Sequence, residues 1–183
     1  MEKFLLDKSN AVLVIVDIQD KLAAVMKHKQ QVTDNCLHLI EAAKLLNIPI
    51  VVTEQYPKGL GPTIHEIRDA LPNYEPFEKM TFDGCGGNGF LEKIASLNRK
   101  QMILTGMETH ICVLQTCLGL LQKGYFVHLV GNAVCSRGKD DYLAGREWMR
   151  DAGAVITCTE TALFQLIEKA GTPEFKAISK RIK

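Results

Sequence analysis

Asp17, Lys79 and Cys112 are three residue types that together could carry out one reaction. Asp17 closes the run "VLVIVD", Lys79 sits in "EPFEKMTF", and Cys112 follows "ILTGMETHI". A cysteine beside a cation and a carboxylate suits nucleophilic catalysis. The cation favours thiolate, and the carboxylate can take the thiol proton and return it to a leaving amine. Each residue also has an ordinary reading. Asp17 would cap a helix, Lys79 would be a solvated surface lysine, and Cys112 would be a small buried hydrophobe. What separates the two readings is whether the fold brings the three together.

The elements that must position them alternate along the chain. Apolar, β-branched runs occur in "AVLVIVDIQD", "IPIVVTEQY", "KQMILTGM", "YFVHLVGNAV" and "AVITCT", with a weaker one in "EPFEKMTFD". Between them lie segments of helical spacing: "QVTDNCLHLIEAAKLLN", "TIHEIRDAL", "GFLEKIASLN", "HICVLQTCLGLLQKG" and "DDYLAGREWMRDAG". Two more, "ETALFQLIEKA" and "PEFKAISKRIK", follow the last strand. Strands alternating with helices predict βαβ units, and continuous apolar strands predict a sheet covered on both faces. The expected fold is a three-layer α/β/α sandwich with a six-stranded, mainly parallel sheet, formed by residues 1–183 as one domain.

Ligands of such sheets bind beyond the carboxyl ends of the strands. That rim carries Asp17 and Gln19 after the first strand, and Glu54 and Tyr56 after the second. Lys79 and Phe82 follow on the third, Glu108 and Cys112 on the fourth, and Asn132, Ser136 and Arg137 on the fifth. Gln19, Glu54, Tyr56, Phe82 and Glu108 are therefore candidate substrate contacts, although each could equally cap a helix or cover the rim. A helix starting near Cys112 would lower its thiol pKa, and the tight "GMETHIC" turn offers backbone N–H groups for an oxyanion hole. His110 lies two residues from Cys112, and neighbours at that spacing do not face each other on a helix.

The totals exclude several classes. A net charge of +1 gives no bulk attraction to nucleic acid or acidic membrane. No apolar run is long enough to span a bilayer, and "MEKFLLDKSN" lacks the pattern of a secretory signal. The six cysteines form no C-x-x-C pair, which predicts reduced thiols and a cytoplasmic protein. The loop "GCGGNG" lacks the order of a phosphate-binding loop, and the basic tail reads as a solvated helix face.

At these residues the chain resembles the isochorismatase-like cysteine hydrolases. "VLVIVDIQDKL", "EKMTF" and "LTGMETHICVLQTCLGLLQKGYFVHLVGNAVCSR" are similar to their three signature regions, in the same order. "TEQYPKGLGPT" narrows the likeness to the small isochorismatase-domain-containing proteins. The resemblance implies a Rossmann-like sheet and a Cys-Asp-Lys triad, with Cys112 as nucleophile, Asp17 as general base and Lys79 as third member. It also implies a cis peptide between Met107 and Glu108, an oxyanion hole from the backbone N–H groups of Glu108 and Cys112, and a homo-oligomer. No cofactor is implied. Where related nicotinamidases hold a metal with Asp-x-His and a further histidine, this chain has "EQYPKGLGPTIHE", so no metal is expected and nicotinamide is a poor substrate. True isochorismatases lack the cysteine, so Cys112 argues against vinyl-ether hydrolysis. Asn132 replaces an aspartate common in relatives and reads as structural. The expectation is a hydrolase of a small amide or related carbonyl compound, acting through a thioester. The alternative is a binding or redox-responsive protein that keeps the pocket without turnover, since an activated thiol also oxidises easily.

Overall fold

β1 (Ala11–Val16) is buried along its whole length, so both of its faces are covered. In the computed structural model, which describes residues 1–183, Ala11, Leu13 and Ile15 enter one apolar cluster and Val12, Val14 and Val16 another. This is the period of two expected of a strand between two helical layers. After β1 come α1 (Asp20–Ala23), α2 (Lys29–Leu45), β2 (Ile50–Gln55), α3 (Pro57–Leu60), α4 (His65–Ala70) and β3 (Phe77–Lys79). A 3₁₀ turn at Gly84–Gly86 leads to α5 (Phe90–Ser96) and β4 (Gln101–Met107). A π-helical turn, Thr109–Val113, runs into α6 (Leu114–Gln122), followed by β5 (Phe126–Cys135) and α7 (Lys139–Asp151). β6 (Val155–Thr157), α8 (Thr159–Ile167) and α9 (Pro173–Arg181) complete the chain.

The six strands form one sheet in the order β3-β2-β1-β4-β5-β6, and every neighbouring pair is parallel. One core lies between the sheet and α2, α4, α8 and α9, around Ile15, Ile40, Ile67, Ile103 and Leu163. The other lies under α5, α6 and α7, around Val14, Phe90, Leu104, Leu120 and Met149. The expected three-layer α/β/α architecture is present. No helix is long and apolar enough to cross a membrane.

Three details differ from the sequence expectation. α1 and α3 are single turns that short polar segments do not announce. The helix after β4 opens with a π turn, in which the Val113 N–H donates to the Glu108 carbonyl at 3.2 Å. β5 also slips register opposite β4, between the partners of Leu104 and Gly106. The irregular segment carries Asn132, whose Oδ1 accepts from the Thr159 N–H at 2.8 Å and the Thr159 hydroxyl at 2.9 Å. Asn132 thus holds the start of α8, as a structural residue would.

Gly106 lies opposite Val16, where the central strands approach each other at the site. Its φ is 127°, and a Cβ there would fall 2.0 Å from the Val16 carbonyl oxygen. Backbone cannot yield as a side-chain tip can. Gly106→Ala is expected to destabilise the fold by about 3–5 kcal/mol, combining the φ penalty with the clash. Urea unfolding of the purified variant measures this, and a loss below about 1 kcal/mol would contradict the close approach.

Candidate active site

The end of β1 turns sharply at Asp17, a non-glycine residue at φ 51°. Aspartate tolerates this left-handed conformation better than most residues. The turn directs a fully buried carboxylate along the rim. Thr53, on the neighbouring β2, donates its hydroxyl to Asp17 Oδ1 at 2.7 Å, and Lys79 Nζ donates to Oδ2 at 2.7 Å. Lys79 reaches this point because β3 pairs with β2, with Lys79 opposite Gln55. Its ammonium also donates to Gln55 Oε1 at 2.7 Å and to the carbonyls of Phe82 at 3.2 Å and Thr81 at 3.3 Å. Both charges are therefore removed from water, and both are fully partnered. A buried charge is tolerated on those terms.

Cys112 arrives from the other side of β1. β4 pairs with β1, and the π turn after β4 carries the cysteine. Its side chain is buried, and both Asp17 and Lys79 act on it electrostatically at close range. The strand order therefore brings together the three residues singled out in the sequence. The expected low thiol pKa is corrected. Burial first, and then the negative charge of Asp17, push the Cys112 thiol up to about 12, against the smaller opposing effect of Lys79. The physical reason is chiefly that burial strips the thiolate of its hydration, and the Lys79 cation, ion-paired with Asp17, offsets only part of that. At neutral pH the thiol therefore stays protonated.

The peptide between Met107 and Glu108 is cis. The Glu108 side chain faces away along the rim, where its Oε2 accepts from the Arg137 backbone N–H at 3.0 Å and from Arg137 Nε at 3.1 Å. His110 Nδ1 lies 2.9 Å from Ser136 Oγ, which gives this histidine a partner other than Cys112.

Two expected substrate contacts have internal partners instead. The Gln19 amide donates to the carbonyls of Gln55 at 3.0 Å and Gly61 at 2.7 Å, and accepts from the Gln55 N–H at 2.7 Å. Glu54 accepts from the Thr63 hydroxyl at 2.7 Å and from the Tyr74 hydroxyl. These contacts pin the segment between β2 and α4. Tyr56 and Phe82 are about half exposed, and Met80 more so. A cavity of about 350 Å³ opens beside Lys79, between Pro57, Met80 and the Gly86–Gly87 turn, and neither Asp17 nor Cys112 lines it. His65 is exposed and pairs with Glu66. Thr53 and Gln55 were not singled out as functional. The available signal was the run of three polar residues, Thr53 to Gln55, ending the strand "IVVTEQ", where burial demands partners.

A six-stranded parallel sheet with these side chains at its carboxyl rim defines an isochorismatase-like hydrolase domain. The family profile for the Isochorismatase domain matches residues 11–161, and the chain belongs to that family. It is 43% identical over 180 residues to the secreted isochorismatase effector Isc1 of Phytophthora sojae, covering 95% of this chain and 85% of the relative. It is 35% identical over 175 residues to isochorismatase domain-containing protein 2 of Danio rerio, covering 96% and 88%. Among solved structures, the MAR1 ribonuclease from Caenorhabditis elegans superposes with a TM-score of 0.91 at 36% identity, covering 97% of this chain and 92% of that one.

Removing one partner of the buried pair should be costly, because the other charge stays behind. Lys79→Met is expected to lose about 3–5 kcal/mol, and the Asp17→Asn/Lys79→Met double variant to recover part of it. Urea denaturation of the four proteins in the cycle measures the coupling. A second prediction concerns the thiol. In a Cys158→Ser background, which removes the exposed cysteine, Cys112 alkylation by iodoacetamide should be slow at neutral pH. It should rise about tenfold per pH unit below the thiol pKa. Asp17 raises that pKa, so Asp17→Asn should label faster at every such pH. Slower labelling of the variant, followed by intact mass, would show that Asp17 does not act on the thiol as described.

Proposed function

We propose that this chain is a cysteine-dependent hydrolase of a small amide or a related carbonyl compound. The observation that carries the reading is the buried Asp17 carboxylate, held by Lys79 and Thr53 at 2.7 Å each and adjacent to the Cys112 thiol. In this reading the thiol is protonated at rest. Its proton passes to Asp17 as the Sγ–C bond forms, so general-base catalysis replaces a preformed thiolate. The carbonyl oxygen becomes an oxyanion facing the backbone N–H groups of Glu108 and Cys112. Collapse breaks the C–N bond, and Asp17 returns the proton to the leaving amine. Asp17 then takes a proton from water, which attacks the thioester. The acid is released and Cys112 recovers its proton. Lys79 keeps Asp17 oriented and offsets its charge through the cycle. Tyr56 and Phe82 flank the entry as apolar contacts for the substrate. We also propose homo-oligomeric assembly, which would cover the exposed Tyr56, Met80 and Phe82.

The redox-responsive alternative needs thiolate character at rest, and burial removes it from Cys112. The ribonuclease description of the worm protein is not carried over, because this sequence has no basic stripe interleaved with aromatics.

Cys112→Ala is expected to abolish turnover on any amide substrate found. Asp17→Asn should lower kcat by about 10²–10⁴-fold. Ammonia or amine release from a panel of small amides, with circular dichroism to confirm folding, measures both. Undiminished turnover by Cys112→Ala would end the proposal.

A further inference from the structure

A second cavity, of about 540 Å³, opens past the end of β5, between the segment before α2 and the start of α7. Its lining carries Lys27, His28, Arg137 and Lys139, and no carboxylate. Neither Lys27 nor Lys139 takes part in any of the chain's ion pairs. The acids next in sequence are Asp140 and Asp141, and the Asp141 carboxyl is folded back against Gly138.

Arg137 gives the cavity its geometry. Glu108 Oε2 takes the Arg137 backbone N–H and Nε, which fixes one edge of the guanidinium. The two Nη groups have no hydrogen-bond partner in the chain, and a planar fork held in this way matches two oxygens of one anion. Ser136 is buried on the same lining, and its hydroxyl makes one hydrogen bond, to His110 Nδ1. A hydroxyl has one donor and two acceptor positions, so further capacity remains. Glu108 balances the charge of Arg137, and Lys27 and Lys139 remain on the lining as two lysines outside any ion pair. Tyr142 and Leu143 supply an apolar wall, and the Tyr142 hydroxyl is tied to the Gly131 carbonyl at 2.8 Å.

We propose that this cavity binds a small organic phosphate. The ester's near-double negative charge matches the two lysines, its oxygens match the Arg137 fork, and its organic part lies on Tyr142 and Leu143. Asp17, Lys79 and Cys112 do not line this cavity, and the inference does not depend on the hydrolase reading.

The test uses phenyl phosphate as probe, with benzoate and benzyl alcohol for comparison, by titration calorimetry of the full chain at low salt. Phenyl phosphate should bind with a single-site isotherm, about tenfold or more tighter than benzoate, while benzyl alcohol gives no saturation. Lys27→Gln/Lys139→Gln should weaken phenyl phosphate about tenfold or more with an unchanged circular dichroism spectrum, and Cys112→Ala should bind as wild type does. Amide shifts in a ¹H–¹⁵N spectrum should cluster at Ser136, Gly138 and Leu143. The proposal fails if phenyl phosphate does not saturate at millimolar concentration or if benzoate binds equally well. It also fails if the double variant binds unchanged or the shifts cluster elsewhere.

Discussion

The rim is organised around one demand, that two opposite charges taken out of water be satisfied together. Asp17 and Lys79 have almost no exposed side-chain surface, and desolvating such a pair costs more than its Coulomb attraction reliably returns. The remainder comes from neutral partners. Thr53 takes one carboxylate oxygen, and Gln55 with the Thr81 and Phe82 carbonyls surrounds the ammonium. These contacts explain why a buried strand ends in polar residues, why the three-residue β3 pairs at the sheet edge, and why the chain turns back after Lys79. Three strand ends are locked to one another through a pair of charges.

That arrangement also decides the state of the thiol. A cation beside a cysteine lowers its pKa only to the extent that its charge is not already answered. Here Lys79 faces a carboxylate before it faces sulfur, so burial prevails and the thiol stays protonated. Such a site differs from one built on a preformed thiolate pair. A protonated thiol is expected to react little with passing electrophiles or oxidants, and in the proposed hydrolysis it would become nucleophilic only when a carbonyl is placed so that proton transfer and attack proceed together. Selectivity then rests on positioning.

Much of this was legible in the sequence, and the rest was hidden for identifiable reasons. The strands were visible because β1, β2, β4, β5 and β6 are apolar or β-branched runs broken by turn residues, with β3 only weakly marked, and the parallel order followed from the helices between them. Asp17, Lys79 and Cys112 were visible because chemistry-bearing residues stood at successive strand ends. The roles of Gln19 and Glu54 were not. Their partners, Gly61, Thr63 and Tyr74, lie in an irregular segment whose path no periodicity announces. The direction of the thiol shift was hidden for a related reason. It depends first on how deeply the fold buries the sulfur and then on how near Asp17 and Lys79 come to it, neither of which residue type announces.

Glu108 shows how one residue can serve two neighbourhoods. Its backbone follows the last residue of β4 and opens the turn that carries Cys112, while its buried carboxylate reaches across to β5 and holds Arg137 by backbone and side chain alike. With Arg137 engaged, the local charge is balanced and the turn is tethered to the end of β5. The contact therefore does for the fourth and fifth strand ends what Lys79 does for the first three. Together the two ion pairs fix the rim from β3 to β5, and the turn bearing Cys112 lies between them.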